Sequence, residues 1–583
     1  MTKIAFFDLT DCEGCELQFL NLKEELLDFF QDFDVISWRL LQEDSLKKNY
    51  DLVFVTGSPM TPEEQRLIKA VRRNTRFLVA LGSCAIMGGI PGTQVNEAKR
   101  KKLVQYVYGP HYQPKATSAQ PLKAYVKVDA EINGCPVDFQ ELKQFLTKIP
   151  SLLEKNPSPF PKGVCRFVPD YISKIEGHGQ LKVNLKESEA EFEVSEGERL
   201  IEGLLLDKDF HQAPFITSRI CGICPVSHNL ASIKALESAL NIQPNEVVIQ
   251  LRRLLLYGQI IHSHLFHLFF LALPDFLNKK SGIEVAQACP AEFHLALNIK
   301  RVSEKILSVI GGQVIHPTLT TLGGFHRFPG QEQLNELLQE LVNTIDEAED
   351  LVRFFATLKY PAFERETEYL ALESQNGYEF YEGEVVSTRG GRFAPENYQK
   401  EIKEEIRPYS TAKVGRRSPS GFFVGALARL NHHYNQLNPK AKALIENVLK
   451  PPFINPFHNN LAQAVEILHL FEESLRLIDE LMTTPKSLYH KAEELPSYSV
   501  SAAEGVGCLE APRGTLYHYY RIDKNGKISD CDIITPTVQN LSNIEEDARL
   551  LLKKTKGEPK NKRIMLLEML IRAYDPCITC AVH

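Results

Sequence analysis

A chain of 583 residues exceeds what one hydrophobic core fills, so two or more domains are expected. Its 43% hydrophobic and 24% charged residues are those of a globular protein and exclude a disordered one. The 67 Lys and Arg stand against 74 Asp and Glu with no basic run, which excludes nucleic acid as an evident partner.

Strand and helix patterns alternate at first. "KIAFFDL" reads as a strand, "ELQFLNLKEELLDFF" as a helix and "YDLVFVTGSP" as a second, buried strand. In "TPEEQRLIKAVRRN" Thr61 is placed to cap a helix, Pro62 takes its first position and acids fill the first turn; "RFLVALGSC" is another strand. This alternation predicts a parallel, doubly wound sheet. Cys12 and Cys15 follow the first strand and Cys84 follows "FLVAL". Ligands of such sheets gather at the carboxyl ends of the strands, so these thiols are expected to share a site. No charged-then-apolar leader and no twin-arginine signal precede the first strand, which predicts a cytoplasmic protein.

The proline-rich "IPSLLEKNPSPFPKG" reads as a linker, dividing a domain of residues 1–155 from one of 166–583, with 156–165 between them. After it, "QLKVNLKESEAEFEV" alternates like a small antiparallel sheet. Helical periods then dominate: "SHNLASIKALESALNI", the run from Asn245 to Leu277, "LNELLQELVNTIDEAEDLVRFFATL" and "LAQAVEILHLFEESLRLIDELM". The apolar stretch Leu254 to Leu273 is long enough to suggest a membrane span. It contains His262, His264 and His267, which favours a buried core helix and no span.

Twelve cysteines in a cytoplasmic chain point to metal binding or redox chemistry rather than disulfides. Cys12, Cys15, Cys84 and Cys135 form one candidate set; Cys221, Cys224, Cys577 and Cys580 form another. Cys165, Cys289, Cys508 and Cys531 stand alone and read as buried, inert thiols. A single Cys-x-x-Cys serves zinc, iron–sulfur or dithiol chemistry alike. Four thiolates make a soft site for Zn, Fe or Ni, and the long separation between residues 221 and 577 counts against a zinc ribbon. For the first set, zinc and an iron–sulfur cubane stand level; a thioredoxin-like dithiol would need neither Cys84 nor Cys135.

In chain order, "DCEGCELQ", "GSCAIMGGIPG" and "NGCP" resemble the small subunit of [NiFe]-hydrogenases. "KIEGHGQL", "RICGICPVSH", "GGQVIHPTLTTLGG", "EAPRGTLYH", "ITPTVQN" and "DPCITCAVH" resemble their large, catalytic subunit. The resemblance implies an α/β flavodoxin-like N-terminal domain followed by a large, mainly α domain with small β elements, both subunits being joined in one chain. It implies an oxidoreductase that cleaves H2 reversibly and heterolytically into protons and electrons. Cys221, Cys224, Cys577 and Cys580 would hold nickel, and Cys224 and Cys580 would bridge it to iron in a Ni-Fe(CN)2(CO) centre. Cys577 would take the proton and pass it to Glu176. Arg513 would lie over the open metal position with Asp575 beside it. Thr537 would donate to a cyanide, and His228 would support the bridging sulfur.

The resemblance also gives the terminal histidine a use: His583 and Glu202 would bind a second metal, Mg2+ or Fe2+. Cys12, Cys15, Cys84 and Cys135 would hold one [4Fe–4S] cluster. With no further cysteine set, electrons would pass straight to a partner, ferredoxin or a flavin/NAD(P) subunit, as in cytoplasmic hydrogenases. No G-x-G-x-x-G loop follows a strand, so a nicotinamide or flavin site is expected elsewhere. Many relatives carry a C-terminal extension that is removed after nickel insertion. None follows His583, so a mature form, or maturation without cleavage, is expected, with maturation proteins as partners.

The chain departs from the family at Ser263, where many relatives carry aspartate, and at Gln463, where many carry arginine. Taken singly, Glu176 reads as a solvated strand-edge acid, Arg513 as a surface charge, His228 as a core histidine and Asp575 as a turn acid before proline. An H2-sensing or electron-transfer protein of the same fold with little turnover is the alternative to an enzyme. A zinc-stapled scaffold ranks behind both, since drift would be free to lose Glu176 or Arg513.

Overall fold

The apolar run at the N-terminus becomes β1 (Thr2–Phe7), and its alternate side chains enter two different cores. In this computed structural model all residues are described except 23–24, 43–48, 93–96, 156–169, 376 and 418–419, and the side chains of 25 and 27. β1 lies between β2 (Phe33–Trp38) and β3 (Tyr50–Val55), and the sheet continues through β4 (Thr75–Leu81) to β5 (Ala130–Ile132). All four pairings are parallel, with Ile4 opposite Leu52 and Val53 opposite Leu78. Ile4, Phe6, Leu52 and Phe54 join the large core that continues into the second half of the chain; Ala5, Phe7, Val53 and Val55 fill a smaller one. The single tryptophan, Trp38, stacks on Phe6 at 3.9 Å.

Helix Pro62–Arg73 begins as its sequence implies. Thr61 Oγ1 accepts from Glu64 N at 3.2 Å, and Glu64 Oε2 accepts from Thr61 N at 2.8 Å. Such a capping box stabilises a helix start by about 1 kcal/mol. Two expectations are corrected nearby. "ELQFLNLKEELLDFF" is two helices, Gly14–Leu20 and Glu25–Asp32, because Asn21 ends the first, its backbone N–H closing on the Leu17 carbonyl. Phe33–Trp38 is a strand that follows the second helix with no Gly or Pro at the junction, so no breaker marks it.

The proline-rich linker expected at 156–165, and Cys165 with it, lie outside the described residues. The hairpin Gly179–Asn184 and Glu189–Val194 forms as expected. Helices Pro225–Leu240, Glu246–Phe266, Pro290–Gly311, Gln331–Ala356 and Asn459–Thr483 then build the greater part of the large core. Glu246–Phe276, continued by a π-helical turn at His267–Ala272, is long and apolar enough to cross a membrane. Its apolar window is wholly buried inside the protein, and His262, His264 and His267 are buried with it. An antiparallel sheet of Ala503–Ala511, Gly514–Ile522 and Ile528–Ile534 packs on helix Pro225–Leu240. A Cβ on Gly507 would overlap the Ala231 carbonyl, so this close approach requires glycine. Most positions of the sheet are buried on both faces, and no alternation betrays it. Cys508 and Cys531 are buried in it as expected, whereas Cys289 is half-buried at a helix end and not a core residue.

The C-terminal segment turns inward, and Asp575 through His583 are buried. Ile578 N donates to the Glu176 carbonyl at 2.9 Å, so the tail pairs with the segment that carries Glu176. The buried Arg199 guanidinium donates to the carbonyls of Ile220 (2.8 Å), Arg219 (3.2 Å) and Val582 (3.2 Å), and to that of Thr579. One side chain thus ties the loop before Cys221 to the tail after Cys577.

Replacing Arg199 with Ala strands four buried carbonyls at a cost of about 1–3 kcal/mol each. Carboxypeptidase is expected to release His583 and Val582 from the variant but not from the native protein; equal resistance would refute the clamp. A second expectation concerns acid. His433 and His469 flank Tyr378 at 5.3 and 4.7 Å, and burial pushes both imidazoles down to about 4. A base whose folded pKa lies below its unfolded value of about 6.5 contributes stability above that pH, and loses it as pH falls toward about 4. The thermal midpoint of the metal-free protein should therefore drop between pH 6.5 and 4, less so in His469→Gln; a flat profile would contradict it.

Candidate metal centre

The second thiol set converges without any neighbouring sequence to hold it. Cys221 follows the short helical turn Ser218–Ile220, Cys224 caps helix Pro225–Leu240, and Cys577 and Cys580 lie on the inward tail. Cys221 Sγ is 3.5 Å from Cys577 Sγ, and Cys224 Sγ is 3.3 Å from Cys580 Sγ; all four are buried. Cys221, Cys224 and Cys580 have their sulfurs within 4.8 Å of one another, as do the ligand atoms of Glu176, Cys221 and Cys577. Sulfurs about 3.5–4 Å apart are what metal–sulfur bonds of about 2.3 Å produce. Ile223 N and Cys224 N both donate to Cys221 Sγ, at 3.2 and 3.3 Å. Burial pushes the Cys580 thiol up. Burial acts on Cys577 too, but hydrogen bonds with Cys224 and Cys580 outweigh it and hold that thiol below the ordinary value.

Glu176, Arg513, Asp575 and His228 are all buried, which removes the plain surface readings of Glu176 and Arg513. Arg513 Nη2 pairs with Glu176 Oε1 and lies 2.9 Å from Asp575 Oδ1, while Nε donates to the Asp575 carbonyl at 2.7 Å. Its Nη1 is buried with no partner, a spare donor on a fixed cation. Burial would discharge the guanidinium, but Asp575 and Glu176 hold it charged. Burial pushes the Glu176 carboxyl well up, opposed by Arg513 and reinforced by Cys577 and Cys221; its Oε2 is 3.9 Å from Cys221 Sγ. Gln463 Nε2 donates to Asp575 Oδ2 at 2.9 Å, and Gln463 Oε1 meets His267 Nδ1 at 2.6 Å. Thr537 Oγ1 accepts from Cys577 N at 3.0 Å, which leaves its own hydroxyl hydrogen free. His228 Nε2 is 3.7 Å from Cys580 Sγ.

Glu176 itself is placed by the first half of the chain. Arg39 donates to the Ile175 carbonyl at 2.9 Å, and Glu13 Oε1 accepts from Gly177 N at 2.7 Å. At the tail's end, His583 Nδ1 is 2.8 Å from the Cys580 carbonyl, and a metal bound at Nε2 would fix the ring proton on that side. His583 Nε2 then faces the Ile533 carbonyl at 3.0 Å and Glu202 Oε1 at 3.8 Å. Three acceptors facing one another fit a cation between them, and adjacent corners of an octahedron with 2.0–2.1 Å bonds are about 3 Å apart. Burial would raise the Glu202 carboxyl, but Lys413 and His583 outweigh it and hold it at about 2.

Of the first set, Cys135 is exposed and Cys12, Cys15 and Cys84 are partly buried. Burial raises the Cys12, Cys15 and Cys84 thiols, and each also feels Cys135. His316 Nε2 is 3.7 Å from Cys12 Sγ. Sequence reasoning quoted the motif around His316 without giving it a place, and passed over Arg199 and Ile533 altogether. Arg199 had one signal, its position three residues before Glu202 in "ERLIEG"; a backbone carbonyl such as that of Ile533 leaves none.

Residues 12–149 match the family described as NADH ubiquinone oxidoreductase, 20 Kd subunit; residues 199–292 and 368–583 match the nickel-dependent hydrogenase family. The chain is 33% identical over 422 residues to sulfhydrogenase 1 subunit alpha of Pyrococcus furiosus, covering 71% of this chain and 97% of that protein. It is 34% identical over 425 residues to sulfhydrogenase 2 subunit alpha of the same organism, covering 71% and 98%. Among solved structures, an NAD+-reducing [NiFe]-hydrogenase in the H2-reduced state has a TM-score of 0.63 at 25% identity, covering 71% of this chain and 98% of that one. The Ni-Fe-Se hydrogenase from D. vulgaris Hildenborough in its oxidized state shares the fold, with a TM-score of 0.58 at 21% identity over 71% and 99%. Since the converging thiols of Cys221, Cys224, Cys577 and Cys580 all fall inside the matched stretches, the chain belongs to the nickel-dependent hydrogenase family.

Proposed function

We propose that this chain is a cytoplasmic [NiFe]-hydrogenase whose two subunits are fused, with residues 1–155 as the small-subunit domain, 156–165 as linker and 166–583 as the catalytic domain. The observation that carries the reading is the buried set of four sulfurs with Glu176 and the Arg513–Asp575 pair against it. Cys221, Cys224, Cys577 and Cys580 would hold the Ni-Fe(CN)2(CO) centre, which when bound supplies the heterolytic cleavage of H2 and an outlet for its electrons. Cys577 Sγ receives the proton, and Glu176, whose carboxyl is pushed well up by burial, relays it. Arg513 offers the unpartnered Nη1 hydrogens to what enters, with Asp575 fixing its plane. Glu202, His583 and the Ile533 carbonyl would hold Mg2+ or Fe2+ and brace the tail that carries two of the thiolates.

Cys12, Cys15, Cys84 and Cys135 would hold one [4Fe–4S] cluster. Among the described residues, three or more ligand atoms come within 4.8 Å of one another only at the second set, and the wider spread of the first suits a cluster better than one zinc ion. Gly222 N donates to the Cys12 carbonyl at 2.6 Å, so the two thiol loops touch and electrons have a short way to the cluster. From there the exposed Cys135 faces a partner, an iron–sulfur or flavin/NAD(P) subunit or a ferredoxin.

Protein made with hydrogenase maturation proteins and purified without oxygen should contain one nickel, iron for a dinuclear site and a cubane, and show infrared bands of metal-bound CO and cyanide. Zinc with no such bands would sink the reading, and bands without H2-dependent dye reduction would select the sensor instead. Glu176→Gln should keep the metals and the bands while losing H2-dependent dye reduction by about 10²–10⁴-fold. A variant with native turnover would take Glu176 out of the proton route.

A further inference from the structure

Behind the thiolates, four polar side chains stand in single file. His228 Nε2 lies 3.7 Å from Cys580 Sγ, and His228 Nδ1 lies 3.1 Å from His518 Nε2. His518 Nδ1 is 2.9 Å from the Tyr520 hydroxyl, which is 3.0 Å from Ser232 Oγ. His228 and Ser232 are one turn apart on helix Pro225–Leu240; His518 and Tyr520 are two apart on strand Gly514–Ile522, on one face. All four are buried, and no carboxylate pairs with either imidazole among the described residues. Two imidazolium rings 3.1 Å apart without counter-charge would repel, and the hydrogen bond between them needs a lone pair, which the neutral form supplies.

A neutral imidazole has one N–H and one lone pair, so the links are not independent. A bridging thiolate at Cys580 offers lone pairs only, and His228 Nε2 must then carry the hydrogen that points at it. That makes His228 Nδ1 an acceptor, His518 Nε2 a donor and His518 Nδ1 an acceptor. The Tyr520 O–H must donate to His518, and its oxygen is left to accept from Ser232. Reversing any one link reverses all of them and turns a lone pair toward the sulfur.

We propose that Tyr520 and His518 are positioning residues that set the His228 tautomer and so keep an N–H on the bridging sulfur. This rests on the hydrogenase reading, in which Cys580 is that bridge. A hydrogen bond to the sulfur withdraws electron density from it, and through it from the iron.

The test is the infrared spectrum of native protein, Tyr520→Phe, His518→Phe, His518→Gln and Ser232→Ala, each made with the maturation proteins and purified without oxygen. Without the tyrosine hydroxyl, His518 Nδ1 can take the proton itself and the file loses its direction. The CO stretching band should then move to lower wavenumber by more than its own width, in Tyr520→Phe and in His518→Phe alike. His518→Gln, whose amide N–H can replace the imidazole donor, should return the band toward its native position. Ser232→Ala leaves the tyrosine proton in place and should leave the band where it was. Unmoved bands in Tyr520→Phe and His518→Phe at native nickel and iron content overturn the proposal, and so does an equal shift in Ser232→Ala. If His518→Phe takes up no metal, Tyr520→Phe decides alone, since it removes a single oxygen. Absence of CO and cyanide bands from the native protein would be failure of the hydrogenase reading itself; native bands with an unmoved Tyr520→Phe would be failure of the relay only.

Discussion

A hydrogen bond from Gly222 N to the Cys12 carbonyl, 2.6 Å long, holds the two thiol sets in one register. It joins the loop between Cys221 and Cys224 to the loop between Cys12 and Cys15. The Cα of Gly14 occupies the space that a Cβ on Gly222 would need, so the backbones meet directly and Gly222 cannot carry a side chain without driving the loops apart. Because the contact is backbone to backbone, it leaves little slack for either thiol set to shift alone. The N-terminal half therefore helps to place the thiol site: Arg39, just after β2, and Glu13, before helix Gly14–Leu20, grip the backbone at Ile175 and Gly177, on either side of Glu176.

The same logic of satisfied backbone groups accounts for the buried tail. A chain terminus brought into a protein interior carries carbonyls that water no longer meets, and each one left unpaired costs about 1–3 kcal/mol. Here the Thr579 and Val582 carbonyls are met by Arg199, the Cys580 carbonyl by His583, and the tail's N–H at Ile578 by the Glu176 carbonyl. Arg199 also binds the Arg219 and Ile220 carbonyls, so the support of one cysteine pair is the support of the other. The four sulfurs are brought within 3.5 Å in pairs by groups that are not themselves ligands.

What could be read in the sequence followed from locality. The parallel sheet, the capping box at Thr61 and the long helices announce themselves within a dozen residues, and the cysteine pairs declare two soft sites by residue type alone. The strand Phe33–Trp38 was hidden because no breaker separates it from the helix before it, and the sheet from Ala503 to Ile534 because burial on both faces erases alternation. Arg199, His316 and the file from His228 to Tyr520 were illegible for another reason. Their partners lie hundreds of residues away or are carbonyl oxygens, and neither has a sequence signature. The family resemblance supplied the proposed ligands; only the packing of strand Gly514–Ile522 on helix Pro225–Leu240 shows what stands behind them.

The departures at Ser263 and Gln463 bear on charge. Asp575 faces Arg513 through Oδ1 and Gln463 through Oδ2, so its single negative charge is matched by one cation and one neutral amide. An arginine in place of Gln463 would put two cations on one carboxylate, and an aspartate in place of Ser263 would add a buried negative charge to the same core. With Glu176 protonated, Arg513 and Asp575 form a neutral pair; when Glu176 gives up its proton, the site gains one negative charge, lying against the guanidinium. The cost of that charge in a buried site is what Arg513 offsets, and in the proposed proton route it would set how readily Glu176 passes a proton on.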